Sequence, residues 1–286
     1  LVKQGWGVAS LTGDGKTYAG ATVIQAGVLR VTGSSAPGAS AAISVLAGGQ
    51  LRLVSESAAG EPTPYVFGGD ISLEGMGRGG PIPQQTGLGI LGALRYEPPS
   101  QGNHVVVSNA IHFAGATDVH VDGTRNVMGL AGAISGEHGF IKSGGGKVVL
   151  GGNSPSYVAR SLVSNGVLAV DGRIGSALDV VAGATVSGGG RVGALRGDGV
   201  AAADATVLTA ASAEGLDYGF SFGTNGSPRY ASPGLSGNGV LRFLSGGPAG
   251  TPGLIDIYLD VPTLAAGDRL RGGFFVGSGV DLASFL

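Results

Sequence analysis

The stretch FIKSGGGKVVLGGNSPSYVARSLVSNGVLAV, residues 140–170, is glycine-rich, β-branched and nearly devoid of reactive side chains. Its partner is the opening of the chain, LVKQGWGVASLTGDGKTYAGATVIQAGVLRV, residues 1–31. Without a gap, Lys3 falls on Lys142, Gly5 on Gly144, Gly7 on Gly146, Leu11 on Leu150, Tyr18 on Tyr157 and Gly27-Val28-Leu29 on Gly166-Val167-Leu168. The offset is constant at 139 (142 − 3, 166 − 27). The alignment resumes further on, where AISVLAGGQL (42–51) matches ALDVVAGATV (177–186) at an offset of 135. The first copy therefore carries four extra residues, expected at a corner around Ser34 to Ala41.

Repeated segments of this kind specify a solenoid, because each coil buries its apolar face only against its neighbours. Short runs such as Val8 to Leu11, Val28 to Val31, Gln50 to Val54, Lys147 to Leu150 and Val167 to Val170 read as strands. Gly-Gly, Asn-Gly and Gly-Asp-Gly punctuate them and supply the positive φ that tight corners require. A sandwich or barrel would show longer strands joined by hairpins. The reading is all-β: a right-handed parallel β-helix (β-solenoid) of about 20 residues per coil, 11 to 14 coils and a rod on the order of 60 Å if most of the chain follows the plan. Protruding Pro/Gly-rich loops are expected at 60–69, 78–87 and 96–103, since proline cannot donate to a ladder. Trp6, Tyr18 and Tyr157 are expected to cap or flank the apolar column. Ala201 to Glu214 is the best helical window and a poor one, interrupted by Thr and Val. The expected organisation is a β-helix over 1–200, with repeat copies at about 1–54 and 139–195, and a less regular continuation or cap over 201–286.

Composition narrows the function. Glycine makes up 58 of 286 residues and charged residues 13 %; with mean hydropathy +0.30, the chain is too apolar and too weakly charged for solvated disorder. No apolar run reaches the roughly 18 residues of a membrane-spanning helix, so no membrane insertion is expected. Seventeen basic residues are scattered and the net charge is −2, which gives no footprint for nucleic acid. The absence of cysteine removes thiol catalysis, disulfides and Cys-based zinc sites together. Leu1 begins in mid-repeat, which reads as a piece of a longer precursor.

Residues 132–195 resemble the passenger-associated, or autotransporter-associated, β-strand repeat. Gly139, Lys142, Ser143, Gly144, Gly146, Val148 to Leu150, Asn153, Tyr157, Gly166, Leu168 and Val170 stand in that pattern, and residues 1–54 carry a second copy with Asp14 at the usual asparagine. Residues 87–123 are similar to the Gly-Ala-Leu segment that often precedes the repeat, with prolines replacing the run after Arg95. The resemblance implies a bacterial passenger, secreted or displayed at the cell surface. The expected function is a non-enzymatic structural or adhesive extracellular rod that meets a host or neighbouring-cell surface. The alternatives are a subunit of a head-to-tail homo-oligomeric filament and a polysaccharide lyase or glycoside hydrolase.

Individual motifs weigh little against this frame. GLGILG (87–92) fits G-x-G-x-x-G, but prolines flank it where a dinucleotide fold needs a strand and a helix. Arg196-Gly197-Asp198 is a candidate adhesion turn, set against an ordinary solvated corner. His104, His112 and His120 recur every eight residues, too far apart for the close pairs of zinc sites, and with His138 read as surface or ladder histidines. Asp118, His120 and Asp122 share one strand face by the period of two and form the densest polar face. Asp256 with Asp260, and Asp268 with Arg269 and Arg271, make no convincing catalytic set. No catalytic, metal-binding or cofactor residues are assigned, and no cofactor is expected.

Overall fold

The computed structural model describes residues 1–13, 17–32, 42–54, 61–77, 92–98 and 100–197, together with the backbone of short strands at 200–202, 209–210, 213–214, 217–219, 241–242 and 274–275. Every regular element among these residues is a strand, and every pairing is parallel. Such all-parallel stacking with no helical crossovers is a parallel β-helix.

The coils have three faces. The first runs through Val2–Lys3, Thr22–Ile24, Ile43–Val45, Ile71–Gly75, the first part of Ile111–Val121 and Ile134–Gly136. It goes on in Asn153–Ser154, Arg173–Ile174 and Arg191–Val192, joined to the strand before by the Ser154 hydroxyl, which accepts from Ile134 N–H at 2.7 Å. The second face stacks Val8–Leu11, Gly27–Thr32, Gly49–Val54, Leu94–Tyr96, the last part of Ile111–Val121, Phe140–Ser143, Ser161–Val163, Ala177–Val180, Ala194–Gly197 and Ala213–Glu214. The third, among the described residues, runs from Pro62–Tyr65 through His104–Val107, Val127–Leu130, Lys147–Leu150, Val167–Val170 and Thr185–Ser187. At about 4.8 Å per strand, the ten strands of the second face make a rod on the order of 45 Å.

Register explains the four extra residues of the first copy. Thr22 pairs with Ile43, 21 residues on (43 − 22), whereas Ser161 pairs with Leu178, 17 residues on (178 − 161). The difference falls between Thr32, where one strand ends, and Ile43, where the next begins; the corner itself (33–41) lies outside the described residues.

Inside the coil the period of two places Leu29, Val31, Leu51, Leu53, Leu94, Val119, Val121, Val148 and Leu168 in one continuous core, all within 1 % of full burial. An aromatic stack fills it midway: the Phe113 and Phe140 rings lie 5.2 Å apart and Phe113 and Tyr157 5.7 Å apart. Tyr157 is therefore a core residue and not a flanking one, 1 % exposed, with its hydroxyl donated to His138 O at 2.9 Å. Trp6, on the first coil, is half-exposed.

Residues 60–69 correct the sequence reading more sharply. Pro62–Tyr65 is a strand of the third face, in register with His104–Val107, and Tyr65 and Phe67 are buried in the core. Among the described residues this strand is the last of its eight-stranded sheet, the kind of position in which a sheet tolerates proline. The proline rings alternate outward while Thr63 and Tyr65 point in. Likewise Tyr96, placed in a loop by its neighbouring prolines, ends the strand Leu94–Tyr96 and is buried. The loop 78–87 lies outside the described residues. The poor helical window 201–214 contains strand fragments instead.

Candidate functional site

Among the described residues, one polar arrangement inside the coil and one outside it bear on function. The inner one belongs to the repeat. Lys142 points inward from Phe140–Ser143, fully buried, at the end of the strand where Gly144 (φ +74°) turns the chain. Its Nζ donates to Ser143 O, Gly144 O and Asn165 O, each at 2.8 Å. Asn165 belongs to the next coil, so the ammonium ties two successive corners together. In the first copy Lys3 Nζ donates to Gln4 O at 2.8 Å, Gly5 O at 2.5 Å and Ala26 O at 2.9 Å, the equivalent three oxygens. Burial pushes Lys142 down to about 7, with Asp118 acting the other way. The three carbonyls oppose that drop, because only the ammonium form has three protons to donate.

The glycine after this corner is dictated by the same geometry. Gly166 has φ +68° and a Cβ there would sit 2.5 Å from both Gly144 O and Gly146 O. Gly27 (φ +72°) faces Gly5 O and Gly7 O in the same way. Tyr18 and Tyr157 correspond too: each hydroxyl lies near the hydroxyl four residues on, Thr22 at 3.4 Å and Ser161 at 3.3 Å.

The outer arrangement is a ladder on the second face. Ser10, Arg30, Arg52, Arg95, His120 and Ser143 stand in register on six successive strands. Like charges stacked at strand spacing repel, and carboxylates from the same coils intervene. Arg52 Nη1 binds Glu97 Oε2 at 2.7 Å and Arg95 Nε binds Asp122 Oδ2 at 2.7 Å. The other Asp122 oxygen faces His120 Nε2 at 3.3 Å. Burial alone would raise Asp122, but hydrogen bonds from His120 and Arg95 outweigh it and hold the carboxyl at about 2. His120 Nδ1 lies 2.8 Å from Ser143 Oγ, which donates to Asp118 Oδ1 at 2.7 Å. Burial pushes Asp118 up, with that hydroxyl acting against it.

Ser143, His120 and Asp122 thus meet as serine, histidine and carboxylate do in hydrolases, although the sequence scatters them. The chemistry differs. A nucleophilic serine hands its proton to the imidazole, whereas the Ser143 proton is engaged by Asp118 and both ring nitrogens face acceptors. The network is a set of mutually satisfied groups that bridges the strands Leu94–Tyr96, Ile111–Val121 and Phe140–Ser143. Period-two reading of Asp118, His120 and Asp122 found half of it. Arg95 and Ser143 come from neighbouring coils and needed the register.

The remaining motifs separate. Arg196 lies on Ala194–Gly197, in register with Asp179; Asp198 lies outside the described residues. His112 bonds Ser135 at 3.1 Å on the outer side of the first face, and His104 and His138 sit apart from it on other coils. Among the described residues no three His, Asp or Glu side chains gather as a metal-binding group. In 87–92 only Gly92 is described, and Asp256, Asp260, Asp268, Arg269 and Arg271 lie outside the described residues.

With this geometry in place, comparison with known proteins gives a direct match. The Passenger-associated-transport-repeat family model matches residues 1–31 and 140–170. The chain carries passenger-associated-transport repeats. Their two stretches are the two lysine-centred corners. The chain is also 26 % identical over 180 residues to the adhesin BmaC autotransporter of Brucella suis biovar 1 (strain 1330). That alignment covers 63 % of this chain and 4 % of the relative, so the chain spans a small fraction of that protein's length. No solved structure matches. Passenger repeats and an autotransporter relative place the chain outside the bacterial cell or at its surface. No helix among the described residues is long and apolar enough to cross a membrane.

Proposed function

We propose that this chain is part of a non-enzymatic, adhesive rod that presents its flanks to a host or neighbouring-cell surface. The observation that carries this reading is the combination of passenger repeats and an adhesin relative with a coil whose buried polar groups serve its own corners. In this reading residues 1–200 form the rod and 201–286 its less regular continuation or cap. Candidate contacts are residues 78–91 and Arg196-Gly197-Asp198. Beads coated with the chain should adhere to cultured cells above beads coated with an unrelated β-helix, and Asp198→Glu should reduce adherence if the triplet contributes. Equal adherence of both coatings to every cell type and matrix protein tried would remove the adhesive reading.

A second reading, head-to-tail assembly of copies, draws on the first coil. Among the described residues Val2–Lys3 pairs with Thr22–Ile24 and Val8–Leu11 with Gly27–Thr32, and Val2, Trp6 and Val8 are half-exposed or more. A strand edge open to solvent templates pairing with another chain. Electron microscopy across a concentration series tests it, with fibres expected for the parent chain and short rods for Val8→Lys. Polysaccharide cleavage has the least support, because the carboxylates of Glu97, Asp118, Asp122 and Asp179 are each bound to a neighbouring cation or hydroxyl.

A further inference from the structure

We infer that Lys3 and Lys142 are register locks, buried cations that permit only one alignment of their coil with the next. The need for such a device follows from the core. Along the second face the inward residues beside Lys142 are Val119 in the coil before and Val163 in the coil after. Away from the aromatic stack many inward positions are branched aliphatics, as in Lys147–Leu150 and Val167–Val170. In such strands a slip of two residues keeps every side chain on its face and exchanges one branched aliphatic for another. Apolar packing therefore discriminates poorly between registers in short, glycine-bounded strands.

An ammonium does discriminate. In the native register all three Lys142 protons reach carbonyl oxygens, two from its own corner and one, Asn165 O, from the following coil. Displacing the following strand by two residues carries Asn165 O away, and a desolvated cation is left with an unmet donor inside an apolar column. Buried charges separated from a partner are strongly destabilising, and buried polar groups fix register in other assemblies. Two further features support a role at the joint between coils. The same three bonds recur at Lys3, although that copy sits on the first face and Lys142 on the second. Ser164, one residue before Asn165, donates to Lys142 O at 2.9 Å, so the lysine backbone and its side chain hold the same neighbouring corner.

The chain has no cysteine, which allows register to be read by cross-linking. Ile141 and Leu162 are in-register partners on the outer side, and Arg160 lies two residues before Leu162. Oxidation of Ile141→Cys/Leu162→Cys should give the disulfide readily, and Ile141→Cys/Arg160→Cys should not. Adding Lys142→Met, which keeps the volume and removes the charge, should bring the two yields from at least about tenfold apart to within about twofold. Unchanged selectivity in the Lys142→Met background would overturn the inference, leaving the lysine as a filler of the corner. If Lys142→Met does not fold, Lys3→Met on the terminal coil takes its place. There Val2 pairs with Val23 in register, and Val2→Cys with Val23→Cys or Ala21→Cys reads the same two outcomes.

Discussion

Gly166→Ala and Gly183→Ala form a matched pair that tests the close approach of successive coils. Both positions have positive φ, +68° and +85°, so each alanine carries the left-handed penalty of roughly 1–2 kcal/mol, offset in part by the stiffer unfolded chain at roughly 0.4–1 kcal/mol. At Gly183 nothing lies within 4 Å of the added Cβ, and the net loss should stay near 1 kcal/mol or below. At Gly166 the Cβ would meet Gly144 O and Gly146 O at 2.5 Å, well inside ordinary contact. Relief requires the coils to part. That strains the bond from Lys142 Nζ to Gly144 O and the bond from Val167 N to Gly146 O at 3.3 Å. A charged hydrogen bond contributes about 1.5–3 kcal/mol and a neutral one about 0.5–1.5, so Gly166→Ala should cost about 3–5 kcal/mol in all. Urea unfolding followed by far-ultraviolet circular dichroism gives the global difference. Hydrogen exchange of the Val167 and Thr185 amides localises it, which matters because repeat arrays need not unfold in one step. Equal losses for the two variants would refute the reasoning, since backbone conformation alone would then account for both.

Two further substitutions probe the outer network and the core. Asp122→Asn should cost about 1–2 kcal/mol at pH 7. Its carboxyl falls from 3.8 in the unfolded chain to about 2, so this stabilisation is complete above the unfolded value and disappears as pH falls through the folded one. Urea midpoints of parent and variant should therefore converge between about pH 4 and pH 2, and a gap that persists at pH 2 would mean that something other than the ion pair is lost. Phe140→Ala removes a ring stacked against Phe113 at 5.2 Å and near Tyr157 and should cost about 3–5 kcal/mol; a loss below 1 kcal/mol would mean that the aromatic stack collapses to refill the space.

The fold was legible because a solenoid writes its period into the sequence. Val8 to Leu11, Lys147 to Leu150 and the 139-residue offset each carried the plan, and the change of offset to 135 located the longer coil between Thr32 and Ile43. What the residues concealed was direction and rank in the stack. Proline in Pro62–Tyr65 argues against a strand only if the strand is central, and among the described residues it stands at the end of the third face. Tyr157 read as a flanking aromatic because a polar tip favours the surface, yet His138 O satisfies its hydroxyl inside. The outer network was half visible in Asp118, His120 and Asp122; Arg95 and Ser143 are respectively 25 and 23 residues from His120 and join it only through strand register.

The two repeat copies occupy different faces, and this separates what the motif encodes from what the fold encodes. Lys3 stands on the column that leads to Ile111, His112 and Phe113, whereas Lys142 stands on the column paired with Thr117 to His120. The long strand Ile111–Val121 links these columns, because its first part pairs on one face and its last part on the next. A motif tied to one face would have to move in whole turns. This one moves by a single face and keeps its three carbonyls, its close-packed glycine and its tyrosine. Its chemistry is therefore that of a corner, complete within a coil and the start of the next, and indifferent to which flank the corner separates. Segments that join the strands away from that corner are free to differ from flank to flank without disturbing it. A passenger can then vary the surface it presents while the buried lysines keep the coils in step.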